Sequence, residues 1–437
     1  GFFLKLYFVR KLFFNLIIIF YSVFYTFQSS CIAQIENEIA SGRKIFHQMW
    51  RPISHELNNK GGLGPLYTRR SCSSCHIQNG RSRIPTFQNN LKEMSVKILI
   101  YDKNKKKNTE HPTLGSQLQD KGTFGIEPEG KISLIENNTS KLLPNGRLVT
   151  LILPNYFLKE SNFLSTKEPL ILSPRISPPL FGLGYLEAID EILIKYNADP
   201  NDKNNDGISG KYKKIYNIKQ KKISIGRFGW KADQPDIFQQ VALAFNKDLG
   251  LTNPIYPETN CPKIQENCKL FLNTSTIELG TKEIEKVTLY IKNIDMPKKL
   301  NLDKKLVKKG KSIFFDLKCH LCHIPSWKTS SSNKIKKLND KQIFPYTDLL
   351  LHDMGNELAD KSSNPIEENR EWRTPALWGL ASNEITLNNQ KYLHDGRAKS
   401  IIEAILWHGG EALKSRKKFE KLDYEEQNNL IYFLKSL

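Results

Sequence analysis

The sequence predicts a mainly α fold in which two similar modules are separated by a β-rich insertion. The pentapeptide C-x-x-C-H occurs twice, at Cys72–His76 and at Cys319–His323. A segment with helical spacing of apolar residues precedes each copy, at 36–49 and at 306–317. Between the two copies, residues 90–160 are rich in β-branched side chains and in turn residues, which favours strands.

The remaining elements follow from the same patterns. Further helices are expected at 186–196, 238–249 and 424–437, and strands at 95–101, 148–153 and 287–294. The length of 437 residues suits two or three domains. We divide the chain into a signal peptide at 1–33, an N-terminal module at 34–250, a linker at 251–302 and a C-terminal module at 303–437.

The spacing of the pentapeptide is typical of covalent haem attachment. Two thiols three positions apart can bond both vinyl groups of one porphyrin, and the histidine that follows then lies under the iron. The sequence therefore predicts two covalently bound haem c groups, each in a cytochrome c-like domain. The attaching residues are Cys72, Cys75, Cys319 and Cys322, with His76 and His323 as proximal iron ligands. Zinc is the alternative, because each motif could supply three ligands, but the surrounding sequence favours haem.

The N-terminus predicts export. Basic residues precede an apolar core at 12–27, and Ala33 follows as a cleavage position. This pattern indicates a signal peptide at 1–33 and a periplasmic location; the alternatives are an uncleaved membrane anchor and a lipid on Cys31. Because an oxidising compartment favours disulfides, Cys261 and Cys268 are expected to form one.

The charge of the chain limits the classes of partner. The net charge is +20, with lysines scattered among polar residues and no accompanying nucleic-acid motif. We interpret these lysines as solvated surface and expect no nucleic-acid partner. A basic surface is also compatible with an acidic electron-donor protein.

Several longer segments carry a resemblance to a known family. They are Gly62–Tyr67, Gly115–Asp120, Phe181–Ile189, Gly226–Ala232, Pro345–Gly355, Trp372–Gly379, Leu393–Arg397 and Ala404–Gly410. On these segments the chain resembles the di-haem oxidoreductases, a distant branch of the bacterial di-haem cytochrome c peroxidases. The resemblance spans nearly all of the chain after the signal peptide.

The resemblance implies a periplasmic peroxidase-like enzyme. Electrons from a periplasmic donor protein, such as a small cytochrome, would enter at the C-terminal haem. They would then pass to the N-terminal haem, where a small oxidant such as hydrogen peroxide binds. Two alternatives remain open: a non-enzymatic di-haem electron-transfer protein, and an oxidase that modifies a partner protein through surface radicals.

The sixth ligands of the two irons would assign these roles, because a six-coordinate haem has no room for peroxide. For the C-terminal haem, the resemblance favours His408, with Met354 as the alternative. No His or Met occurs at 239–245, the matching place for the N-terminal haem. We therefore expect an open N-terminal haem, although Met94 or His111 could close it from a loop.

Peroxide cleavage needs a group that moves a proton and polar groups that stabilise the breaking bond. The resemblance assigns these roles to Asp248 and Gln240, and Glu129 is a rival carboxylate.

Other candidate residues lie outside the distal pair. The resemblance suggests Trp230 as an electron carrier between the haems. Arg373 and Arg397 are candidates for pairing with haem propionates, because arginine binds carboxylates through two hydrogen bonds. Residues 202–207 alternate oxygen side chains and end in Gly207, like the start of a calcium loop. One Ca²⁺ is therefore a further expectation, with a plain Asn/Asp/Gly turn as its alternative.

Overall fold

The computed structural model describes most of the chain. The described residues are 14, 33–52, 62–82, 94–123, 125–161, 163–164, 170–262, 265–268, 277–297, 300–361, 366–381 and 391–437. Apart from Phe14 and Ala33, the predicted signal peptide lies outside them. Within these ranges, no helix is long and apolar enough to cross a membrane.

Runs of helices and runs of strands follow one another along the described part of the chain. The helices are α1 (33–47), α2 (Leu183–Glu187), α3 (Glu191–Tyr196), α4 (Ile237–Leu249), α5 (Thr281–Lys292), α6 (Lys304–Asp316), α7 (Glu367–Arg370), α8 (Ile401–Leu406), α9 (Leu413–Glu420) and α10 (Tyr424–Lys435). The strands are β1 (Leu66–Tyr67), β2 (Met94–Asp102), β3 (Lys107–Glu110), β4 (Lys121–Gly122), β5 (Lys131–Leu142), β6 (Leu148–Glu160), β7 (Ile171–Ile176), β8 (Lys214–Asn217), β9 (Lys222–Ile225), β10 (Trp327–Lys328), β11 (Gln342–Ile343), β12 (Leu351–Asp353) and β13 (Glu371–Arg373).

The predicted mainly α fold of two cytochrome c-like domains is wrong. The structure is 32% helix and 21% strand, and its described strands form six small sheets. Many of these strands span only two to four residues, which is too short to show a period of two in the sequence. The β8–β9 hairpin, for example, lies in a lysine-rich part of the sequence. The chain is therefore a mixed α and β structure.

The strands predicted at 95–101 and 148–153 are confirmed. Strand β2 lies between β3 and β7 in a three-stranded antiparallel sheet. Strands β5 and β6 form a long antiparallel hairpin. Along β2 the side chains alternate, because successive residues of a strand point to opposite faces. Val96 and Ile98 join a buried apolar cluster, while Lys97 and Leu99 line the largest cavity described below.

Helix α4 confirms the helix predicted at 238–249. The Asp236 side chain accepts a hydrogen bond from the Gln239 amide, which caps the first turn. Gly250 ends the helix in the left-handed conformation, with φ of 71°, which favours glycine. The buried side chains recur at helical spacing: Ile237, Val241, Phe245 and Leu249.

The strand predicted at 287–294 is wrong, because most of this segment belongs to helix α5. Its buried residues are Ile284, Val287, Thr288, Tyr290 and Ile291, which lie on one face of a helix. Their β-branched composition favoured a strand, but their spacing is helical. Helix α5 packs against α4 and thereby covers the apolar face of that helix.

Two apolar cores underlie the two motifs. The first joins Phe46 of α1 to Phe245 of α4 and Val287 of α5, and it also includes Trp327 and Leu349 from beyond the second motif. The second core is formed by α6, α8, α9 and α10, with two residues of β6 packed on it. The domain boundaries at 34–250, 251–302 and 303–437 stay a prediction.

Candidate functional sites

Each C-x-x-C-H motif folds into a short helical turn. The first 3₁₀ turn spans Cys72–Ser74 and the second spans Cys319–Leu321. In both motifs the histidine amide donates to the carbonyl of the first cysteine at 3.0 Å. The turn therefore holds the two thiols of a motif and its histidine in one compact unit.

The two motif histidines are held in the same way. Nδ1 of His76 lies 3.0 Å from the carbonyl oxygen of Pro178, and Nδ1 of His323 lies 2.9 Å from that of Tyr346. A carbonyl can only accept, so the proton sits on Nδ1 and the lone pair on Nε2 is free to bind a metal. Burial lowers the pKa of His76 and lowers that of His323 to about 4, so both rings are neutral at pH 7.

The pKa of each motif thiol is raised above its usual value. Burial raises the pKa of Cys72 and of Cys319 to about 12, so these thiols stay protonated at neutral pH. In contrast, Cys261 and Cys268 form the expected disulfide. The motif cysteines thus fit an attachment role better than a redox role of their own.

A large cavity opens beside the first motif. Its volume is about 720 Å³, within the range of roughly 300–1,000 Å³ that ligand pockets span. Cys72, Cys75 and His76 line it. Arg81 also lines it, and its Nε atom is buried without a hydrogen-bond partner among the described residues. An orphaned donor of this kind suits an acidic group in the cavity, so these residues fit a haem with propionates.

Asp248 lies in this cavity next to an unforeseen partner. Its Oδ1 atom accepts a hydrogen bond of 2.7 Å from Nε2 of Gln117. Oε1 of Gln117 in turn accepts from Nζ of Lys97 at 2.9 Å. All three side chains line the cavity, so the structure joins Asp248 to Gln117 and Lys97.

The other two predicted catalytic residues are placed differently. Gln240 lines the same cavity from α4. Glu129 is fully buried outside the residues that line the cavity, and its carboxylate accepts from the Gln119 amide at 2.7 Å. Burial raises the pKa of Glu129 well above its usual value. Asp248 and Gln240 therefore line the same cavity, whereas Glu129 is not among the residues that line it.

The second motif has another half-buried histidine nearby. His408 lies close enough to His323 to lower the pKa of that ring. Nδ1 of His408 lies 2.7 Å from the carbonyl oxygen of Ala404, so its Nε2 lone pair is also free. Burial lowers the pKa of His408 and keeps the ring neutral. Two neutral imidazoles, each with a free Nε2, could both bind one iron.

Met354, the alternative ligand, has a different environment. It packs against the second apolar core and against a small cluster that contains Trp230 and Trp372. Its role as a ligand stays a prediction, and its contacts indicate packing.

A buried aromatic cluster connects the two regions. Trp230 lines the first cavity, and its Nε1 donates to the Ile176 carbonyl at 2.8 Å. Trp230 belongs to the same buried cluster as Trp372. The ring of Trp372 stacks on His394 with 3.6 Å between centroids, and Trp372 pairs with His352 across strands β12 and β13. His352 lies beside the second motif, with Nδ1 3.7 Å from the sulfur of Cys322.

A buried ion cluster forms part of the cavity wall next to Trp372. Asp360 accepts from Arg175 at 3.3 Å and lies 3.4 Å from Nζ of Lys231. Both cations also lie over the indole of Trp372, at 4.4 and 3.8 Å from its centroid. Burial alone would raise the pKa of Asp360, but the two cations outweigh it and hold this pKa at about 2.

Replacing Asp360 with asparagine should destabilise the protein strongly, because two buried cations lose their counter-ion. We expect the free energy of unfolding at pH 7 to fall by about 3–5 kcal/mol, measured by chemical denaturation. An unfolded aspartate titrates near pH ~3.9. As the pH falls from about 4 towards 2, the wild type therefore loses the stability that ionised Asp360 contributes. The difference in the free energy of unfolding between wild type and variant narrows over this range. The exposed Asp340→Asn is the control, expected within about 0.5 kcal/mol of wild type. Equal effects of the two substitutions would contradict the prediction.

The two predicted propionate-binding arginines differ in their surroundings. Arg373 lines the first cavity, and its guanidinium donates to the carbonyls of Gly229 and Thr374. Arg397 is held instead by the carboxylate of Asp395 and the carbonyl of Glu357. Arg373 is thus the better placed for a group in the first cavity; both roles stay predictions.

The two residues considered as closing ligands of the first haem, His111 and Met94, are not among the residues that line the cavity. His111 does not line the cavity, and its Nδ1 accepts from the amides of Thr113 and Leu114. Its remaining proton therefore sits on Nε2, and this ring caps a turn. Met94 is buried in the aromatic cluster with Trp230.

The predicted calcium loop is a network of side-chain-capped turns. Asp202 accepts from the amide of Gly207, and Asn204 accepts from that of Asp206. The loop also contacts the second site, since Ser209 donates to Glu411, which binds His352. The calcium ion stays a prediction.

Sequence analysis missed Gln117, Lys97, Trp372 and Asp360. Gln117 lies in one of the family-like segments, Gly115–Asp120, and this was the available signal. No sequence pattern identified Lys97 and Asp360, because the side chains that they contact lie more than ten residues away along the chain.

A known protein family matches more than half of the chain. Residues 159–437 match the model of a family described as "Di-haem oxidoreductase, putative peroxidase". No curated protein matches the chain. A solved structure of hydrazine synthase from Kuenenia stuttgartiensis, pressurized with 20 bar xenon, shares 18% identity and a TM-score of 0.24. The alignment covers 36% of this chain and 55% of that one, so the chain spans about half the length of that relative, and the likeness is too distant to carry an argument.

Proposed function

The chain belongs to this family of di-haem oxidoreductases, and on that basis we propose a peroxidase-like enzyme whose C-terminal haem passes electrons to a substrate-binding N-terminal haem. The observation that carries the proposal is the contrast between the two motif histidines. His323 is accompanied by His408, whereas His76 lines a large cavity. An iron with two protein ligands transfers electrons, and an iron with one open side binds substrate.

The residues of the first cavity would hold one haem and position the oxidant. Cys72 and Cys75 would attach it through thioethers, and Nε2 of His76 would bind its iron. When bound, haem supplies electron transfer and activation of the oxygen–oxygen bond. Asp248 offers a carboxylate to accept or return a proton, and Gln240 offers an amide donor. The helix α4 that carries both has a buried inner face, which limits the entry of water.

The second site would serve electron transfer. Cys319 and Cys322 would attach the second haem, and His323 and His408 would bind its iron. Trp230 would carry electrons towards the first cavity, because it lines that cavity and belongs to the buried cluster that leads towards the second motif.

A periplasmic location completes the proposal. Covalent haem attachment takes place on the outer side of the bacterial inner membrane, and the Cys261–Cys268 disulfide suits an oxidising compartment. The electrons would come from a periplasmic donor protein, and hydrogen peroxide would be the oxidant.

Electron paramagnetic resonance of the ferric holoprotein tests the proposal. We expect one low-spin iron from the His323–His408 pair and one high-spin iron, or one with a displaceable ligand, that binds cyanide. Two low-spin irons and no cyanide binding in either redox state would favour the electron-transfer protein instead.

A further inference from the structure

Lys97 is a cation whose direction is fixed by the fold. Strand β2 turns Val96 and Ile98 into an apolar cluster, so Lys97 between them must point to the opposite face. That face is the wall of the first cavity. The register is secured on both sides, since Ile98 donates to Ser116 and Leu118 donates to Val96 through the backbone.

The hydrogen-bonding capacity of the Lys97 ammonium is only partly used by other protein groups that the structure describes. It has three donors, and among the described residues its hydrogen-bond acceptor is Oε1 of Gln117. Two other lysines of the cavity are each paired with a carboxylate: Lys213 with Asp233, and Lys231 with Asp360. A half-buried cation that lacks a directly paired carboxylate favours an anion beside it.

Gln117 fixes this ammonium in place. Its Nε2 donates to the Asp248 carboxylate at 2.7 Å and to the Lys247 carbonyl at 3.0 Å. The amide oxygen therefore has to face Lys97, because a carboxylate and a carbonyl can only accept. Gln117 is almost fully buried, at 2% exposure, so it cannot easily rotate away.

We propose that Lys97, positioned by Gln117, is an anion-binding group of the first cavity and that its ligand is a small anionic oxidant such as the conjugate base of a hydroperoxide. This inference rests on the proposed function and adds the charge of the substrate to it. Burial lowers the pKa of Lys97, although Asp248 opposes this, and a lowered pKa also eases proton donation to a bound oxygen.

Optical titrations of the ferric holoprotein with azide and with imidazole test the proposal. Both probes bind open ferric haem, but only azide is an anion. Lys97→Met should weaken azide binding on the order of tenfold or more, as expected for a charge-assisted hydrogen bond. Its affinity for imidazole should stay within about twofold of wild type. Gln117→Leu should reduce azide binding by a smaller factor with the same selectivity, because the ammonium keeps its charge and loses its position.

Lys105→Met is the matched control. It removes the same charge from the turn that joins β2 and β3, at a side chain that is 64% exposed, and it should leave both affinities unchanged. Azide binding that is unchanged in Lys97→Met would overturn the proposal. So would an equal loss of azide and imidazole, which would indicate altered access to the cavity. A wild type that binds neither probe would overturn the proposed function itself as well.

Discussion

Replacing His408 with methionine should raise the reduction potential of the C-terminal haem by a few tenths of a volt, part of the roughly 0.8 V that axial ligands span. The thioether of methionine stabilises ferrous iron relative to imidazole. The free Nε2 of His408 and its closeness to His323 are the reasons to expect this. A potentiometric titration followed by optical spectroscopy measures the change, and the N-terminal haem should keep its potential.

Met354→Leu is the control for this experiment. Leucine fills a similar volume and keeps the packing against both apolar clusters. The potential of the C-terminal haem should therefore not move. If Met354→Leu shifts the potential and His408→Met does not, Met354 is the ligand and the assignment made here is wrong.

Replacing both Cys72 and Cys75 with serine should remove one haem and abolish peroxide turnover. Serine cannot form the thioether links, so intact-mass analysis should show one porphyrin per chain in place of two. The low-spin spectrum of the C-terminal haem should persist, because Cys319 of the second motif packs against a different apolar core.

The reciprocal double substitution, Cys319→Ser with Cys322→Ser, separates the two roles. It should leave cyanide binding at the first site and remove the supply of electrons from a donor protein. A wild-type chain whose mass shows only the bare polypeptide would exclude covalent attachment altogether.

The helices were predictable where their apolar residues are regularly spaced and capped. Helix α4 was predicted almost to its ends, since Asp236 and Gly250 mark them. The β-branched composition of helix α5 predicts a strand, although its buried residues recur at helical spacing. The short strands could not be predicted, because two to four residues carry no period and are held by partners far along the chain.

The candidate sites divide in the same way. The two motifs could be identified from the sequence, because the residues that would attach each haem lie within five consecutive positions. The partners of these residues are distant in sequence: Pro178 lies 102 positions from His76, and Gln117 lies 131 positions from Asp248. A pairing at such separation leaves no local pattern to detect.

The sequence alone determined the two C-x-x-C-H sites and the family of the chain. The motifs and the family-like segments are short runs of adjacent residues, so they can be recognised without the fold. Only the tertiary structure decided which groups surround these sites. It brought Lys97 and Gln117 to Asp248, set His408 near His323, and excluded Glu129 from the cavity. The physical reason is that strand register and helix packing, rather than spacing along the chain, set which face of the protein each side chain occupies.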